Sequence, residues 1–496
     1  MSSRTAPPRA RKEAGGVRRP SESRALFARA TRHEAFNDAL FVGLLLVLAW
    51  VPFWLGSNRP IAWGINAALF GLLTVAFEIG LLVGGARHPV APRRLWWALV
   101  MFAGLVGWIV FQISPWAPAA WQAAFWQMAG DLLAGVPGVG TVEGRISVIP
   151  DQGIIGLVRL LTCAAAFYLA LQLCRDRARA EMFPLAMVAI ATAYALYGIV
   201  QLLFFPMTLL WIDKPAYFES VTSTFINRNS YATYAGIGLV IALGVLIDAY
   251  RRAGAGRDAP FVHRVAAVVE ITGRRGLVLM VAAAIIAIAL FWTTSRAGTV
   301  SSLIGALVLL LFVVTLMRRR LVLVAIVLVA LAGLIGVLVM YGDSVAERLS
   351  EEGGSDMRLA ITSRTFEAAL DVMWTGFGYG SFDRMFAVYR NTDTWVTVHW
   401  DKAHNTYVEM LFDLGFPAAI AFGLMVLGLL LTVFVNLLGR DSRPMLSLTA
   451  LAVSAAVFSH AALDFSLQIQ AVAITYWALL GAGLAQSWSR RIDTSL

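Results

Sequence analysis

A membrane-spanning helix needs about 20 largely apolar residues in a row. This chain repeats that pattern along nearly its whole length. Twelve such runs are read at about 39–55, 61–85, 95–113, 154–174, 183–206, 231–250, 277–294, 299–317, 321–341, 416–438, 445–465 and 469–488. In hydrocarbon every backbone N–H and C=O must be paired inside the structure, which leaves helices or closed barrels. Apolar runs of this length, without polar alternation, select helices. The expected fold class is therefore all-α, a polytopic integral membrane protein of about 12 transmembrane helices. Only 14% of its 496 residues are charged, against about 25% in a soluble domain. The two cysteines, Cys163 and Cys174, fall in one apolar run, which argues against a disulfide framework. Residues 1–38 are polar and Arg-rich, with no cleavable signal peptide evident, and are expected to form a basic, disordered cytosolic tail. Residues 39–496 then form the membrane domain.

Charge orients the chain. With the N-terminus in the cytosol and sides alternating, 28 of the 40 Lys and Arg fall on the cytosolic side and 11 on the other, with Arg159 inside a run. That is the positive-inside pattern, and it predicts both termini in the cytosol. The net charge of +10 is thereby used by topology and by anionic lipid, and nucleic acid is not an expected partner.

Three outer-face segments are long enough to carry function: about 114–153, about 207–230, and about 342–404 between runs nine and ten. In the largest, "SRTFEAALDVMW" reads as a helix capped by Ser363, with Phe366, Ala369, Leu370 and Met373 on one face. The "GFGYG" at 376–380 lacks the strand context of a phosphate loop and reads as a turn.

Ionisable groups at membrane depth are costly and default to functional candidates. Here they gather at the outer ends of the runs. Arg228 lies between Asn227 and Asn229, and Arg296 follows "TTS". Arg358, Arg364, Arg384 and Arg390 lie in the large loop, His404 and Asn405 at its end, and His460 and Asp464 four apart, on one helical face, near the end of run eleven. The planar fork of arginine suits phosphate, and a neutral imidazole suits proton abstraction from a hydroxyl. Together they point to chemistry on a phosphorylated lipid at the outer leaflet. Each has a plainer reading beside it. Arg296 can snorkel to the interface, His404 can be a structural hydrogen bonder, His460 and Asp464 can tie two helices, and Arg384 and Arg390 suit solvated loop charges.

Four blocks then resemble the O-antigen ligase / Wzy-type polysaccharide polymerase family of bacterial membrane glycan transferases. They are "STFINRNSYATYAG" (223–236), "TTSRAG" (293–298), "MRLAITSRTFEAALDVMWTGFGYGSF" (357–382) and "AHNTYVEMLFDLGFPA" (403–418). "HAALDFSLQI" (460–469) is similar to a late block of the exopolysaccharide branch. The resemblance implies a GT-C-like fold in the bacterial inner membrane, with the large loop and the active site in the periplasm. It implies a glycan donor on undecaprenyl diphosphate, and a glycan, lipid A–core or other lipid-linked acceptor. Neither nucleotide sugar, metal nor other cofactor is expected, and other membrane proteins of polysaccharide assembly are among the expected partners. It maps the site onto Arg296, Arg358 and His404, with Arg364 as reserve. Arg228, Asn227, Asn405, His460 and Asp464, read from their place at the outer face, are further substrate-binding candidates. The family often has Trp or Tyr four residues after its loop arginine, where this chain has Thr362.

The expected function is inverting glycan transfer, as polymerase or ligase, with a protein O-oligosaccharyltransferase as the alternative within the class. The alternative from another class is a polysaccharide or lipid transporter. Against it stand the absence of an internal repeat and the scarcity of midplane charge, with Glu78 one of few such groups.

Overall fold

The computed structural model describes residues 20–138, 140–253, 272–317, 354–391, 400–439 and 444–488. These residues are overwhelmingly helical: α1 (Pro20–Trp50), α2 (Pro60–Gly84), α3 (Trp96–Ile113), α4 (Ala124–Leu133), α5 (Pro150–Leu173), α6 (Arg177–Phe204), α7 (Arg228–Ala253), α8 (Leu277–Trp292), α9 (Arg296–Met317), α10 (Gly354–Asp371), α11 (Phe382–Met385), α12 (Thr406–Leu414), α13 (Phe416–Leu438), α14 (Met445–Ala461) and α15 (Gln470–Ser487). Among the described residues the strands are one short antiparallel pair, Thr208–Leu209 with Ile212–Asp213.

Among the described residues, seven helical segments are long and apolar enough to cross a membrane, and the apolar α8 and α14 are shorter. The chain is a polytopic helical membrane protein. The run at 321–341, and residues 342–353 and 392–399 of the large loop, lie outside the described residues. Helix starts follow local chemistry: Pro60 opens α2 and Pro417 sits in the first turn of α13, where a missing N–H costs nothing. Helix α1 begins at Pro20, inside the stretch expected to be a disordered tail.

Burial grades from rim to centre. Only 17% of the apolar window of α2 is covered by protein, against 61% for α7. Leu82 and Val83 of α2 stand exposed, as side chains facing lipid do. At the centre α15 is buried on every side and packs on α5 and α14, while α7 packs on α8, α9 and α14. A Cβ at Gly305 would sit 2.8 Å from Ala456 Cβ and 3.0 Å from Ala452 O. Glycine there lets α9 lie directly on α14, the small-residue packing of membrane helices.

Over one end of the bundle, α10, α11 and α12 form a cap with its own apolar core. Phe382 stacks on Phe386 at 4.9 Å and Phe377 meets Phe412 at 4.5 Å. "GFGYG" is the turn expected: Phe377 and Gly378 donate to the carbonyls of Phe412 and Asp413. Helix α10 differs from expectation. It starts at Gly354, so Ser363 is interior and not a cap. Its buried stripe is Ile361, Thr365, Ala368 and Ala369, while Phe366 and Leu370 are exposed. The stripe 361–365–368 follows helical spacing from a start nine residues earlier than Ser363. Glu78 is engaged by His88 Nε2 at 3.2 Å and by the Tyr168 hydroxyl.

Candidate functional site

Three helix ends and one loop meet beneath the cap. The first is the start of α7, where Asn227 Oδ1 accepts from the Asn229 and Ser230 N–H groups at 2.7 and 3.4 Å. That is an N-cap, so the Asn227 side chain is occupied by its own helix. Arg228 donates to Thr294 Oγ1 at 2.6 Å and to Ser220 Oγ at 3.3 Å, and lies over the Tyr217 ring at 5.0 Å. It thus ties the "INRN" block to the "TTSRAG" block. Ser295 Oγ accepts from Gly298 N–H at 3.2 Å, fixing the start of α9, whose first residue is the half-buried Arg296.

The end of α14 supplies His460 and Asp464, and here the structure corrects the sequence reading. Helix α14 stops at Ala461, so Asp464 lies in the turn beyond it and the two do not share a helical face. Asp464 Oδ2 accepts from Asn229 Nδ2 at 2.8 Å, Oδ1 from Ser466 Oγ at 2.8 Å, and its carbonyl from Thr406 Oγ1 at 3.1 Å. His460 Nδ1 meets Thr233 Oγ1 at 2.6 Å. Thr233 gives its own hydrogen to Asn229 O at 3.1 Å, so Nδ1 is the donor and Nε2 is a buried acceptor without a partner. The plainer reading, a tie between helices, describes the contacts observed.

The loop residue His404 sits between the rings of Trp400, 5.2 Å away, and Phe465, 5.0 Å away, both edge-on. Its φ is +56°, a left-handed conformation uncommon outside glycine and asparagine that clusters at functional sites. Nδ1 lies 3.1 Å from the Lys402 carbonyl. A carbonyl only accepts, so Nδ1 carries the hydrogen and Nε2 keeps its lone pair. Burial pulls the imidazole below its ordinary value; the Asp464 charge opposes this and the Arg358 charge adds to it. The ring is therefore neutral at neutral pH.

The Arg358 charge acts on both His404 and His460, so the preferred loop arginine is within electrostatic reach of both histidines. Arg364 is turned elsewhere, to the Tyr389 carbonyl at 2.8 Å and to Glu367 at 2.7 Å. Asn405 is an N-cap: Oδ1 accepts from Tyr407 and Val408 N–H, and Nδ2 donates to Ala462 O at 3.0 Å. It holds the loop to α14, and its polar atoms are used in doing so. Thr362 donates to Ala403 O at 3.3 Å, linking α10 to the residue before His404. Sequence reasoning missed Asn229 and Thr233 as partners of the late helix, and Trp400 and Phe465 as the walls around His404. Only the second asparagine of "NRN" carried a visible signal.

The fold and this cluster define a class, a polytopic membrane protein with an arginine- and histidine-bearing site at one end of its bundle. Residues 281–423 match the family model described as O-antigen ligase, which supports the resemblance to the O-antigen ligase/Wzy family over that stretch. The match supports glycan ligation or polymerisation in general. The matched stretch contains Arg296, Arg358, Arg364, His404 and Asn405, and ends before His460 and Asp464. No curated protein matches the chain.

Proposed function

We propose that the protein transfers an oligo- or polysaccharide from undecaprenyl diphosphate to an acceptor hydroxyl, at the periplasmic leaflet of the bacterial inner membrane. The observation that carries this reading is the state of His404: Nδ1 donates to Lys402 O, and Nε2 remains a neutral base. In the proposed step Nε2 takes the acceptor proton and the acceptor oxygen attacks the anomeric carbon with inversion. The bond to the diphosphate breaks, and undecaprenyl diphosphate leaves with its charge held by Arg358 and Arg296. Such placed donors supply about 2.7–4 kcal/mol each in related chemistry. Arg228, bound to Thr294, positions the turn that presents Arg296, and Asn405 positions the His404 loop. Arg364 and Asn227 support the cap and α7, while His460 and Asp464 form the floor that ties α7 to α14.

The same reading carries the wider architecture: twelve spans in a GT-C-like arrangement, a cytosolic tail at 1–38, a membrane domain at 39–496 and a periplasmic loop at 342–404. Neither a metal nor a nucleotide sugar enters the step. The late "HAALDFSLQI" block favours exopolysaccharide polymerisation over ligation to lipid A–core or to protein. Reconstituted protein given an undecaprenyl-diphosphate oligosaccharide tests the reaction, with a second lipid-linked glycan, lipid A–core and a Ser/Thr peptide offered in turn. Polymer with the first acceptor supports the reading in full. Turnover with none of the three rejects it.

A further inference from the structure

Below the cap, α3, α5, α12, α13 and α15 enclose a cavity of about 810 Å³. Helix α5 lines it from Gln152 to Cys163, a depth of roughly 16 Å at 1.5 Å per residue. That is about half the thickness of a bilayer's hydrocarbon core. Neither His404, Arg296 nor Arg358 lines it, yet it borders the His404 loop through Lys402 and through Thr406 at the start of α12.

The cavity is amphipathic. Its lower wall is aliphatic, with Leu105 and Ile109 of α3 and Val426, Leu427 and Leu430 of α13. Its polar level is built from deeply placed groups with unused hydrogen-bonding capacity. Asp413 is 4% exposed; Oδ2 accepts from Gly380 N–H at 2.7 Å and Oδ1 has no partner. Gln470 is 1% exposed; Oε1 accepts from Asn66 at 2.9 Å and Nε2 has no partner. Arg159 donates to the Gln468 carbonyl and lies over Trp63 at 4.4 Å, and its Nε has no partner. All three residues line one space, and each keeps one buried polar atom outside these hydrogen bonds.

The mix selects the ligand. A phosphate only accepts hydrogen bonds; Arg59, Arg159 and Lys402 line the same space, but they stand among the Asp383, Asp401, Glu409 and Asp413 carboxyl groups, which a phosphate would also meet. Sugar hydroxyls donate and accept together, and the Trp63, Tyr379 and Trp477 rings in the lining offer faces for sugar C–H groups. We propose that this cavity is a glycolipid subsite, with a sugar ring at the Arg159–Asp413–Gln470 level and an aliphatic chain between α3 and α13. Resting on the transferase reading, the occupant is the acceptor, beside the loop that carries the base and apart from Arg296 and Arg358.

Gly423 of α13 provides a clean plug. It lines the cavity, and an added Cβ meets nothing within 4 Å, so Gly423→Leu starts its side chain in open space and improves helix propensity. Gly104→Leu on α3, equally open but outside the cavity, is the control. The full-length protein in phosphatidylethanolamine/phosphatidylglycerol vesicles is photolabelled with an alkyl maltoside carrying a diazirine in its chain. Labelled peptides from α5 and α13 are expected in the wild type and in Gly104→Leu, and their loss in Gly423→Leu. Asp413→Asn and Gln470→Ala are each expected to weaken competition by unlabelled maltoside about 10-fold. Equal labelling in Gly423→Leu, or equal competition by an alkyl phosphocholine of the same chain length, overturns the glycolipid subsite. Lost labelling with an unchanged acceptor KM overturns the acceptor assignment. Labelling is read without turnover, so failure of the transferase reading is recorded separately.

Discussion

Asn229 Nδ2 donates to Asp464 Oδ2 at 2.8 Å across 235 residues of sequence. The bond locks the start of α7 to the turn after α14, and the backbone carbonyl of the same aspartate holds Thr406 at the start of α12. Phe465, the next residue, is one wall of the His404 pocket. Removing the carboxylate acts on stability and on the base at once. Asp464→Ala leaves Asn229 buried and unsatisfied, at a cost of about 1–3 kcal/mol, visible as a lower Tm in detergent.

The pH dependence of transfer carries a sign that separates two neighbours of His404. The active form is the neutral imidazole, so the rate rises with pH through the His404 pKa. Asp464 raises that pKa and Arg358 lowers it. Asp464→Asn is therefore expected to move the rising limb to lower pH, and Arg358→Gln to higher pH. Limbs that both stay in place would detach His404 from the titration.

Arg296 is expected to require its fork. Arg296→Lys keeps the charge but cannot form two parallel hydrogen bonds, and kcat is expected to fall by about 10²-fold or more. A lysine variant with wild-type kcat in the reconstituted assay would make Arg296 an interface anchor.

The "GFGYG" turn is expected to be structural and intolerant. Gly376 has φ +65°, and an added Cβ would lie 2.4 Å from Asp413 O. Gly376→Ala combines backbone strain with a clash against main chain, and is expected to destabilise by about 1–3 kcal/mol or more. Thermal unfolding of the purified variant checks this, with Gly104→Ala, which has open space around it, as the neutral comparison.

Topology is tested at Val388, which is 73% exposed within the described part of the large loop. Val388→Cys is expected to react with a membrane-impermeant maleimide added to spheroplasts. Reaction only after inside-out vesicles are prepared would reverse the orientation read from the charge split.

Much of the fold was legible because lipid enforces a simple rule. Runs such as 277–294 and 416–438 became α8 and α13 nearly to the residue, since each must satisfy its own backbone. Outside the membrane that rule lapses. Ser363 looked like a cap from its local sequence, but α10 had already begun at Gly354. His460 and Asp464 have helical spacing, yet the helix ends between them, and Asp464 finds its partner on α7. The site was visible as residue types at one membrane level, whereas its hydrogen bonds are long-range. The Trp400–His404–Phe465 sandwich joins the loop to the turn after α14, and no local pattern encodes it. The deep acid Asp413 stood in plain sight in "VEMLFDLG" and was missed, because only the packed cap reveals that it faces a cavity.

The central claim is that His404 Nε2 is the base that activates the acceptor. The most direct measurement is a paired one on purified His404→Ala and His460→Ala, each loaded with lipid-linked donor, with donor affinity and single-turnover transfer read separately. His404→Ala is expected to bind donor normally and to transfer about 10²- to 10⁴-fold more slowly, while His460→Ala retains measurable transfer with reduced stability. Normal transfer by His404→Ala alongside a dead but folded His460→Ala would contradict the account and move the chemistry to the end of α14.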